Sequence, residues 1–315
     1  MRFSTVITTY NRVDLLKRAV DSALGQTVPN EVIVVDDCST DGTEAYMQRL
    51  GDRVVYQRNQ TNQGHSKSVN LGVERATGDW IKPLDDDDYL APTCLEVMQG
   101  AIAPCPNPVL CSVQAVQVDA QENELWCTPP AGLDAAFYIP QTDVHYAMLL
   151  EQAPLGTTTQ VAFQRDAFRQ SGGWNSDLDV NSDDSDSWIR IAEFGDVVFV
   201  NQPLAYRTIW SGGYNAQVAV RDRLKSNQLV KQQIYQRVDP KYQAGLPSLT
   251  TVNAYLQLHW GLVALKNWQL GAAISLMAPQ VTNLRAWRFL KQAQQYRRLQ
   301  TPDPRIARLK LAAVI

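Results

Sequence analysis

The stretch WIKPLDDDDYL, residues Trp80–Leu90, runs from a short apolar segment directly into four consecutive carboxylates. Adjacent like charges repel by about 1 kcal/mol per close pair in water. A chain therefore keeps such a run either on a solvated surface loop or at a strand end where a cation neutralises it. Because side chains alternate along a strand, Asp85 and Asp87 would lie on the same side. Two carboxylates that leave coordination positions open suit Mg²⁺ or Mn²⁺.

Around this stretch, the first half of the chain alternates between apolar β-branched segments and amphipathic ones. The predicted strands are Phe3–Thr9, Glu31–Asp36, Val54–Arg58 and Trp80–Leu84, with a helix predicted after each of the first three. Such alternation indicates βαβ units and a parallel sheet, so the predicted fold class is α/β. Ligands of parallel sheets bind at the carboxyl ends of the strands. Tyr10, the Asp36-Asp37 pair and the acidic run all lie at such ends.

The second half of the chain is less regular. Residues 120–156 carry Pro, Gly, Trp and Tyr without a clear period, and we expect a variable, substrate-facing loop there. From residue 221 onward the pattern is helical. The remaining predicted elements are helices at Pro92–Ala103, Arg165–Gln170, Trp188–Phe194, 221–237, 250–276 and 283–299, and strands at Val109–Asp119, Thr157–Phe163 and Val197–Val200.

Composition limits the classes of protein that this chain can belong to. It has 315 residues, of which 45% are apolar and 19% charged, enough for a large core and against global disorder. The net charge is −3, so no basic surplus exists for non-specific nucleic-acid binding, and no nucleic-acid partner is expected.

Cysteine usage and the N-terminus bear on the compartment. The five cysteines are odd in number and form no CxxC pair, which favours reduced thiols in a cytoplasmic protein. A strand is predicted directly after Met1, so we expect no signal peptide. No run of eighteen apolar residues is present to span a membrane.

Five sequence motifs occur in a fixed order. They are VITTYNR at Val6–Arg12; VVDDCSTDGT at Val34–Thr43; NQG at Asn62–Gly64 with NLG at Asn70–Gly72; GDWI at Gly78–Ile81, leading into the acidic run and Pro92; and GGW at Gly172–Trp174 before DDSDSWIR at Asp183–Arg190. In this order they resemble the inverting family 2 glycosyltransferases, which have the GT-A fold. The resemblance covers roughly residues 3–210, and five motifs in order make it strong.

The resemblance implies a domain organisation and an activity. It implies a GT-A domain over 1–220, with a nucleotide-binding half at 1–105 and an acceptor-binding half at 106–220, followed by a helical region at 221–315. The implied reaction is inverting and metal-dependent. It moves a sugar from a nucleotide sugar, most often a UDP-sugar, to a hydroxyl of a glycan or lipid-linked acceptor. The implied cofactor is Mn²⁺ or Mg²⁺.

The resemblance also assigns roles to residues of the donor site. It makes Asp87 the metal ligand, places Asp85 on the ribose or a metal-bound water, and brings Asp86 to the nucleotide. Asp37 would accept the uracil imide N–H, although an aspartate there can equally cap the next helix. Tyr10 offers a flat face for a pyrimidine, or is simply a half-buried strand-end tyrosine. The donor-binding set also includes Thr8, Arg12 and Asn70.

On the acceptor side, the candidate residues precede and begin a predicted helix. Asp184 is the candidate general base that takes the proton of the attacking hydroxyl, and its alternative role is an N-cap. Asp183, Trp174 and Trp188 are candidate acceptor contacts, although core packing explains the two tryptophans equally well. The histidines at 65, 145 and 259 are isolated in sequence, which is more typical of structural residues than of ligands.

Three other classes of protein share parts of this pattern. A response-regulator receiver has an acidic pocket like Val34–Asp37, but the length and the acidic pairs disfavour it. A sugar nucleotidyltransferase would need a glycine-rich segment after the first strand, where Tyr10–Arg12 offers none. A catalytically inactive carbohydrate-binding relative is distinguished from the enzyme only by assay.

The C-terminal region carries two features with alternative explanations. Residues 256–277 are apolar on more than one helical face, so they should be buried or bound. They either pack on the protein or on a second copy as a homodimer, or they rest on the anionic inner face of the cell membrane. The basic residues that follow are Lys291, Arg297, Arg298, Arg305, Arg308 and Lys310.

Overall fold

The computed structural model describes residues 1–178, 183–210, 218–299 and 302–311, without the side chains of 297–299. The chain divides into two compact units. The sheet unit comprises Met1–Gln141, Leu155–Trp210 and Arg308–Ile315. The helical unit comprises Thr142–Pro154 and Ser211–Ala307.

The sheet unit is built on one mixed sheet of eleven strands. The strands are β1 (Phe3–Thr9), β2 (Asn30–Asp36), β3 (Val55–Arg58), β4 (Trp80–Asp85), β5 (Tyr89–Leu90), β6 (Pro108–Val118), β7 (Glu124–Cys127), β8 (Ala136–Ile139), β9 (Val161–Gln164), β10 (Asp196–Thr208) and β11 (Leu309–Lys310). Their order is β11-β8-β10-β6-β9-β4-β1-β2-β3, with β5 paired to β10 and β7 to β6. The segment from β4 through β1 and β2 to β3 is parallel, and β9 is antiparallel to both of its neighbours.

Helices cover the two faces of the parallel segment. The helices of the sheet unit are α1 (Val13–Leu24), α2 (Thr43–Leu50), α3 (His65–Arg75), α4 (Cys94–Ile102), α6 (Arg165–Gln170) and α7 (Asp183–Ile191). On one face, Ile7 of β1 shares a core with Leu16 of α1. On the other, α3 approaches so closely that a Cβ at Gly72 would lie 2.3 Å from Val6 Cγ1. Glycine is therefore the residue that lets α3 rest on β1.

The structure confirms the predicted α/β class and corrects several element boundaries. The segment at 120–156, predicted to be a loop, contains β7, β8 and helix α5 (Gln141–Leu149). The predicted strand at Thr157–Phe163 begins as a 3₁₀ turn over Thr158–Gln160, and the predicted Val197–Val200 is part of the longer β10. The short strands were missed because side-chain alternation over four residues is too brief to detect.

The turn between β1 and α1 is held by the turn that follows β2. Asn11 has a φ of 53° and its side chain accepts from the Thr40 N–H, so it does not cap α1. The exposed N–H of Val13 instead donates to Asp41, at 2.8 Å. The turn after β1 is thereby tied to the turn after β2, both at the carboxyl ends of strands.

The helical unit contains most of α5 together with α8 (Val220–Gln236), α9 (Leu249–Lys266), α10 (Leu270–Met277) and α11 (Leu284–Leu299). The single helix predicted at 250–276 is two helices, because the chain leaves helical geometry at Trp268, whose φ is 59°. A Cβ at Gly261 of α9 would meet Met277 Cγ at 2.3 Å, so α9 packs closely against the end of α10. None of the described helices is both long enough and apolar enough to cross a membrane.

Much of the basic tail is engaged within its own unit. Arg305 forms an ion pair with Asp303, at 2.6 Å, in the helical unit. In the sheet unit, Arg308 donates to the Ala131 carbonyl at 2.7 Å, and the next residues form β11 on β8. These contacts favour packing for the described part of the tail. The side chains of residues 297–299 and all of 312–315 lie outside the described residues.

Candidate active site

The carboxyl ends of three neighbouring strands form one edge of the sheet unit. In the parallel register, Thr9 of β1 lies opposite Asp36 of β2, and Thr8 lies opposite Asp85 of β4. The polar residues that follow these strands are therefore brought together, as expected for a ligand site of a parallel sheet.

The acidic run folds back on itself at this edge. The N–H of Asp88 donates to the carbonyl of Asp85 at 3.1 Å, which closes a tight turn directly after β4. One carboxylate oxygen each of Asp85, Asp87 and Asp88 then lie within 4.8 Å of one another. Strand alternation predicted the proximity of Asp85 and Asp87, and the turn adds Asp88. Carboxylate oxygens this close together could hold one divalent cation after a small adjustment, since Mg²⁺ takes oxygen ligands at roughly 2.0–2.1 Å.

Hydrogen bonds to two of its carboxylates, those of Asp86 and Asp88, fix the shape of this turn. Asp88 is buried and accepts from the N–H of Thr208 at 2.9 Å and from the hydroxyl of Thr159. Asp86 is also buried and accepts from the hydroxyl of Thr9 at 2.7 Å. The carboxylate of Asp88 thus ties the acidic turn to β10.

The acidic turn concentrates negative charge where little water reaches it. Burial and the neighbouring carboxylates raise the pKa of Asp87, and raise that of Asp88 well above its usual range. Burial likewise raises the pKa of Asp86 to about 7, although Arg12 opposes the shift. A cluster of carboxylates held this way favours a bound cation, and a divalent cation among these oxygens would add positive charge there.

Three cationic or N–H donors lie against the acidic turn. Arg12 lies 3.0 Å from Asp86 and 3.2 Å from Asp87, and its side chain is 40% exposed. Trp210 Nε1 donates to Asp87 at 3.0 Å, and Arg18 donates to the Asp87 carbonyl at 2.6 Å. Arg12, predicted to contact the donor, is therefore placed on the acidic turn and partly open to solvent.

His65, expected to be isolated, is a central residue of the site. Its Nδ1 lies 3.0 Å from Asp183 Oδ2 and its Nε2 lies 3.4 Å from Asp85 Oδ1. The ring also packs edge-on against Trp174, with centroids 5.4 Å apart. Burial lowers the pKa of His65, but the hydrogen bond with Asp183 and the nearby Asp85 carboxylate outweigh that effect and hold the pKa well above 6.5. Sequence gave no signal for this bridge, because its partners are far away along the chain.

Two of the residues predicted to contact the nucleotide lie in different environments. Tyr10 is partly exposed to solvent, whereas Asp37 is buried and hydrogen-bonded. The Tyr10 ring is 45% exposed, so a flat base can reach it. Asp37 is buried and accepts from Asn59 Nδ2 and from the N–H groups of Gln63 and Gly64, all within 2.9 Å. Its carboxylate therefore holds the loop before α3. The sequence had suggested that an aspartate here could cap the next helix, which is α2, but the observed bonds go to the segment that precedes α3.

Thr8 and Asn70, both predicted to bind the donor, lie in different environments. Thr8 lies at the end of β1 and is nearly buried, at 8% exposure. Asn70 donates through Nδ2 to the Trp174 carbonyl at 2.9 Å, and its Oδ1 accepts from the Trp174 N–H at 2.8 Å. The Asn70 amide thus spans and anchors the Trp174 loop, and direct donor contact would require breaking these bonds.

The candidate base lies at the start of α7. Asp184 is partly buried and accepts from the following N–H, that of Ser185, as a first-turn residue does. Burial and the adjacent Asp183 raise the pKa of Asp184 to about 6. The N-cap alternative is corrected, because α7 begins at Asp183 and Asp184 is a first-turn residue of the helix rather than its cap. The role of general base stays a prediction.

The two tryptophans do not form an open acceptor platform. Trp174 and Trp188 are 3% and 2% exposed, and their ring centroids are 5.7 Å apart. Trp188 Nε1 donates to the Gly156 carbonyl at 3.2 Å. Of the two roles left open from sequence, sugar stacking and core packing, the burial of both rings favours core packing. Their packing supports the loop and helix that carry His65's partner Asp183.

Comparison with known proteins identifies the chain's relatives. The family model described as Glycosyl transferase family 2 matches residues 4–172, more than half of the chain. An uncharacterised glycosyltransferase of Haemophilus influenzae is 28% identical over 214 residues, covering 65% of this chain and 67% of the relative. A Campylobacter jejuni GalNAc(5)-diNAcBac-PP-undecaprenol beta-1,3-glucosyltransferase is 36% identical over 107 residues, covering 32% of each chain.

Solved structures share the fold at low sequence identity. Staphylococcus aureus TarS 1-349, in complex with UDP, has a TM-score of 0.61 at 16% identity and covers 96% of this chain and 92% of its own. The mannosyltransferase PcManGT of Pyrobaculum calidifontis, in complex with GDP-Man and Mn²⁺, has a TM-score of 0.55 at 19% identity and covers 96% and 88%. At these identities the similarity establishes the fold alone.

Proposed function

The chain belongs to glycosyl transferase family 2, and from that membership we propose that it transfers a sugar, with inversion, from a UDP-sugar to a hydroxyl of a glycan or lipid-linked acceptor. The observation that carries the proposal is the cluster of Asp85, Asp87 and Asp88 at the sheet edge that also presents Tyr10. Relatives named as an undecaprenol-linked glucosyltransferase and as colanic acid and teichuronic acid biosynthesis glycosyltransferases support a role in polysaccharide or glycoconjugate synthesis.

The donor is proposed to bind across the ends of β1, β2 and β4. The exposed Tyr10 ring is suited to the base, and the acidic turn to the diphosphate through a divalent cation. Asp85, Asp87 and Asp88 would hold this Mn²⁺ or Mg²⁺, which when bound stabilises the charge of the leaving diphosphate. Arg12 lies against the same turn and adds positive charge beside it. The UDP bound to TarS, a protein of the same fold, supports uracil as the base.

The proton is proposed to leave the acceptor hydroxyl through Asp184. A general base works best when its pKa lies near the working pH, and burial brings that of Asp184 to about 6. As the hydroxyl oxygen bonds to the anomeric carbon, the bond to the UDP oxygen breaks and the carboxylate takes the proton. His65 acts on this arrangement through Asp183, the neighbour of the base.

The proposal also covers the cellular compartment of the reaction and the role of each part of the chain. We place the reaction in the cytoplasm, and the five free cysteines support a reducing compartment. Residues 1–105 are proposed as the donor half and 106–220 as the acceptor half. The helical appendage predicted at 221–315 is helical as far as α11, whereas Leu309–Lys310 form β11 in the sheet unit. Neither a nucleotidyltransferase nor an inactive binding relative requires a base at Asp184.

A donor screen tests the proposed function. The melting temperature of the full chain would be measured with UDP, GDP and UDP-sugars, each with and without Mn²⁺, because ligands of the folded state raise its stability. We expect UDP compounds to raise the melting temperature only with the metal, and at least one UDP-sugar to be slowly hydrolysed. Stabilisation by GDP but not UDP overturns the donor assignment, and binding without any turnover favours the inactive relative.

A further inference from the structure

The helical unit carries a set of large apolar side chains that its core does not bury. They cluster in sequence at the ends of α9, α10 and α11 and in the connections between them. Their exposed fractions are Leu265 48%, Trp268 87%, Leu270 54%, Ile274 68%, Val281 57% and Leu284 79%. Scattered exposed apolar residues are normal, but six within residues 265–284, on helices that pack on one another, favour an interaction surface. We call residues 265–288 the apolar tip.

Local geometry directs these side chains outward. On α10, Leu270 and Ile274 are one turn apart and exposed, whereas Ala273 and Leu276 are buried. The helix therefore has two apolar faces and uses only one for the core. Trp268 stands in a left-handed turn between α9 and α10, within a run of exposed residues from 265 to 271. A tryptophan at 87% exposure contributes little to the stability of the fold.

The segment that contains the apolar tip also has basic residues but no acidic ones. No aspartate or glutamate occurs between Asp239 and Asp303, although the whole chain has 32 acidic residues and a net charge of −3. Lys266, Arg285 and Arg288 are exposed within the apolar tip itself. The basic residues of the acid-free segment are Lys241, Lys266, Arg285, Arg288, Lys291, Arg297 and Arg298.

We propose that the apolar tip docks on the surface of an anionic lipid bilayer. Trp268, Leu270 and Ile274 enter the boundary between head groups and acyl chains, where tryptophan is favoured. The exposed lysine and arginines of the tip contact the lipid phosphates. Charge complementarity favours an anionic bilayer over a second copy of the chain as the binding partner. A symmetric dimer through the tip would bring basic residues against the same basic residues, with no acidic partner within the tip.

This proposal is independent of the transferase reaction, and its test uses binding alone. The full chain would be sedimented with vesicles of 70% phosphatidylcholine and 30% phosphatidylglycerol, and with pure phosphatidylcholine, at 20 and 300 mM salt. We expect binding to the anionic vesicles that weakens at least tenfold at high salt and is much weaker on the neutral ones. No sedimentation with anionic vesicles at low salt overturns the proposal.

Matched variants locate the contact. The double variant Trp268→Ser with Ile274→Ser should weaken vesicle binding at least tenfold, and Arg285→Gln with Arg288→Gln should weaken it and reduce its salt dependence. The control is Leu229→Ser, because Leu229 is 58% exposed on α8 of the same unit but lies outside the tip. Unchanged circular dichroism melts establish that each variant is folded.

Two outcomes would contradict the assignment even if the protein binds vesicles. Equal loss in the tip variant and in Leu229→Ser would show that the tip is not the contact. Light scattering without lipid provides the other outcome. If the protein is a dimer that Trp268→Ser with Ile274→Ser dissociates, the tip binds a second copy of the chain, and the bilayer proposal is wrong.

Discussion

His65 Nδ1 lies 3.0 Å from Asp183 Oδ2 although 118 positions separate them in the sequence. The same imidazole places Nε2 3.4 Å from Asp85. One ring therefore connects the first residue of α7, next to the candidate base, with the end of β4, where the acidic turn begins. The two carboxylates raise the pKa of His65 well above 6.5, which favours the charged imidazolium between them.

Replacing His65 should affect turnover more than donor binding. In His65→Ala, Asp183 loses its partner and α7 can shift, and a displacement of about 1 Å at a reacting group costs on the order of 100-fold in rate. We expect kcat to fall tenfold or more while the calorimetric affinity for UDP changes less than about threefold. His259→Ala in α9 is the control, and equal effects of the two substitutions on kcat would contradict a positioning role.

The metal assignment predicts the loss of cation-dependent donor binding. Asp87→Ala removes one of three clustered carboxylates, so it should abolish transfer and weaken Mn²⁺-dependent UDP binding. Asp52→Ala, on an exposed turn, is the matched control. Titration of UDP by calorimetry, with Mn²⁺ and then with excess chelator, measures the effect. Unchanged Mn²⁺-dependent affinity in Asp87→Ala would remove this residue from the metal site.

The base assignment predicts a separation of binding from catalysis. Asp184→Asn keeps the shape of the side chain and removes only the proton acceptor, so UDP-sugar affinity should be retained. Turnover should fall about 10²–10⁴-fold, the usual cost of losing a general base. Single-turnover transfer at more than about a tenth of the normal rate would exclude Asp184 as the base.

The same carboxylate predicts the acid side of the pH profile. Burial raises the pKa of Asp184 from 3.8 to about 6, so the residue takes up a proton as the pH falls through 6. Only the ionised form accepts a proton, so kcat/KM should decrease about tenfold per pH unit below 6. UDP affinity, measured at the same pH values, distinguishes this effect from titration of the acidic turn. A rate that falls only in parallel with UDP affinity would contradict the assignment.

Packing of α3 on β1 gives a prediction for stability. An added Cβ at Gly72 would lie 2.3 Å from Val6 Cγ1, and such overpacking costs about 1–3 kcal/mol. Alanine improves helix propensity by about 1 kcal/mol, which is too little to compensate a clash of this size. Gly72→Ala should therefore lower the free energy of unfolding in urea. Gly271→Ala, where a Cβ meets nothing within 4 Å, should leave it unchanged or raise it.

The combination of Gly72→Ala with Val6→Ala provides the check on the cause. Removing the valine methyl groups frees the space for the new Cβ, so the double variant should lose less stability than the sum of the two single variants. Strict additivity would show that the close approach of α3 to β1 is not the source of the cost.

Sequence alone determined the local elements of the donor side and the edge of the sheet where they meet. The period of apolar residues located β1, β2 and β4, and their parallel arrangement brought Tyr10, Asp36 and the acidic run together. Five ordered motifs were enough to indicate the family, which the family model confirmed. These features are readable because each depends on neighbours only a few residues apart.

Tertiary structure alone decided the contacts between distant residues. It joined His65 to Asp183, added Asp88 to the metal cluster through a turn, and buried Trp174 and Trp188 in the core. It also divided the predicted C-terminal helix at Trp268 and exposed one face of α10. The physical reason is that periodicity along the chain specifies which face of an element is apolar. What that apolar face contacts, and which partner a polar side chain finds, depend on packing against elements that are far away in sequence.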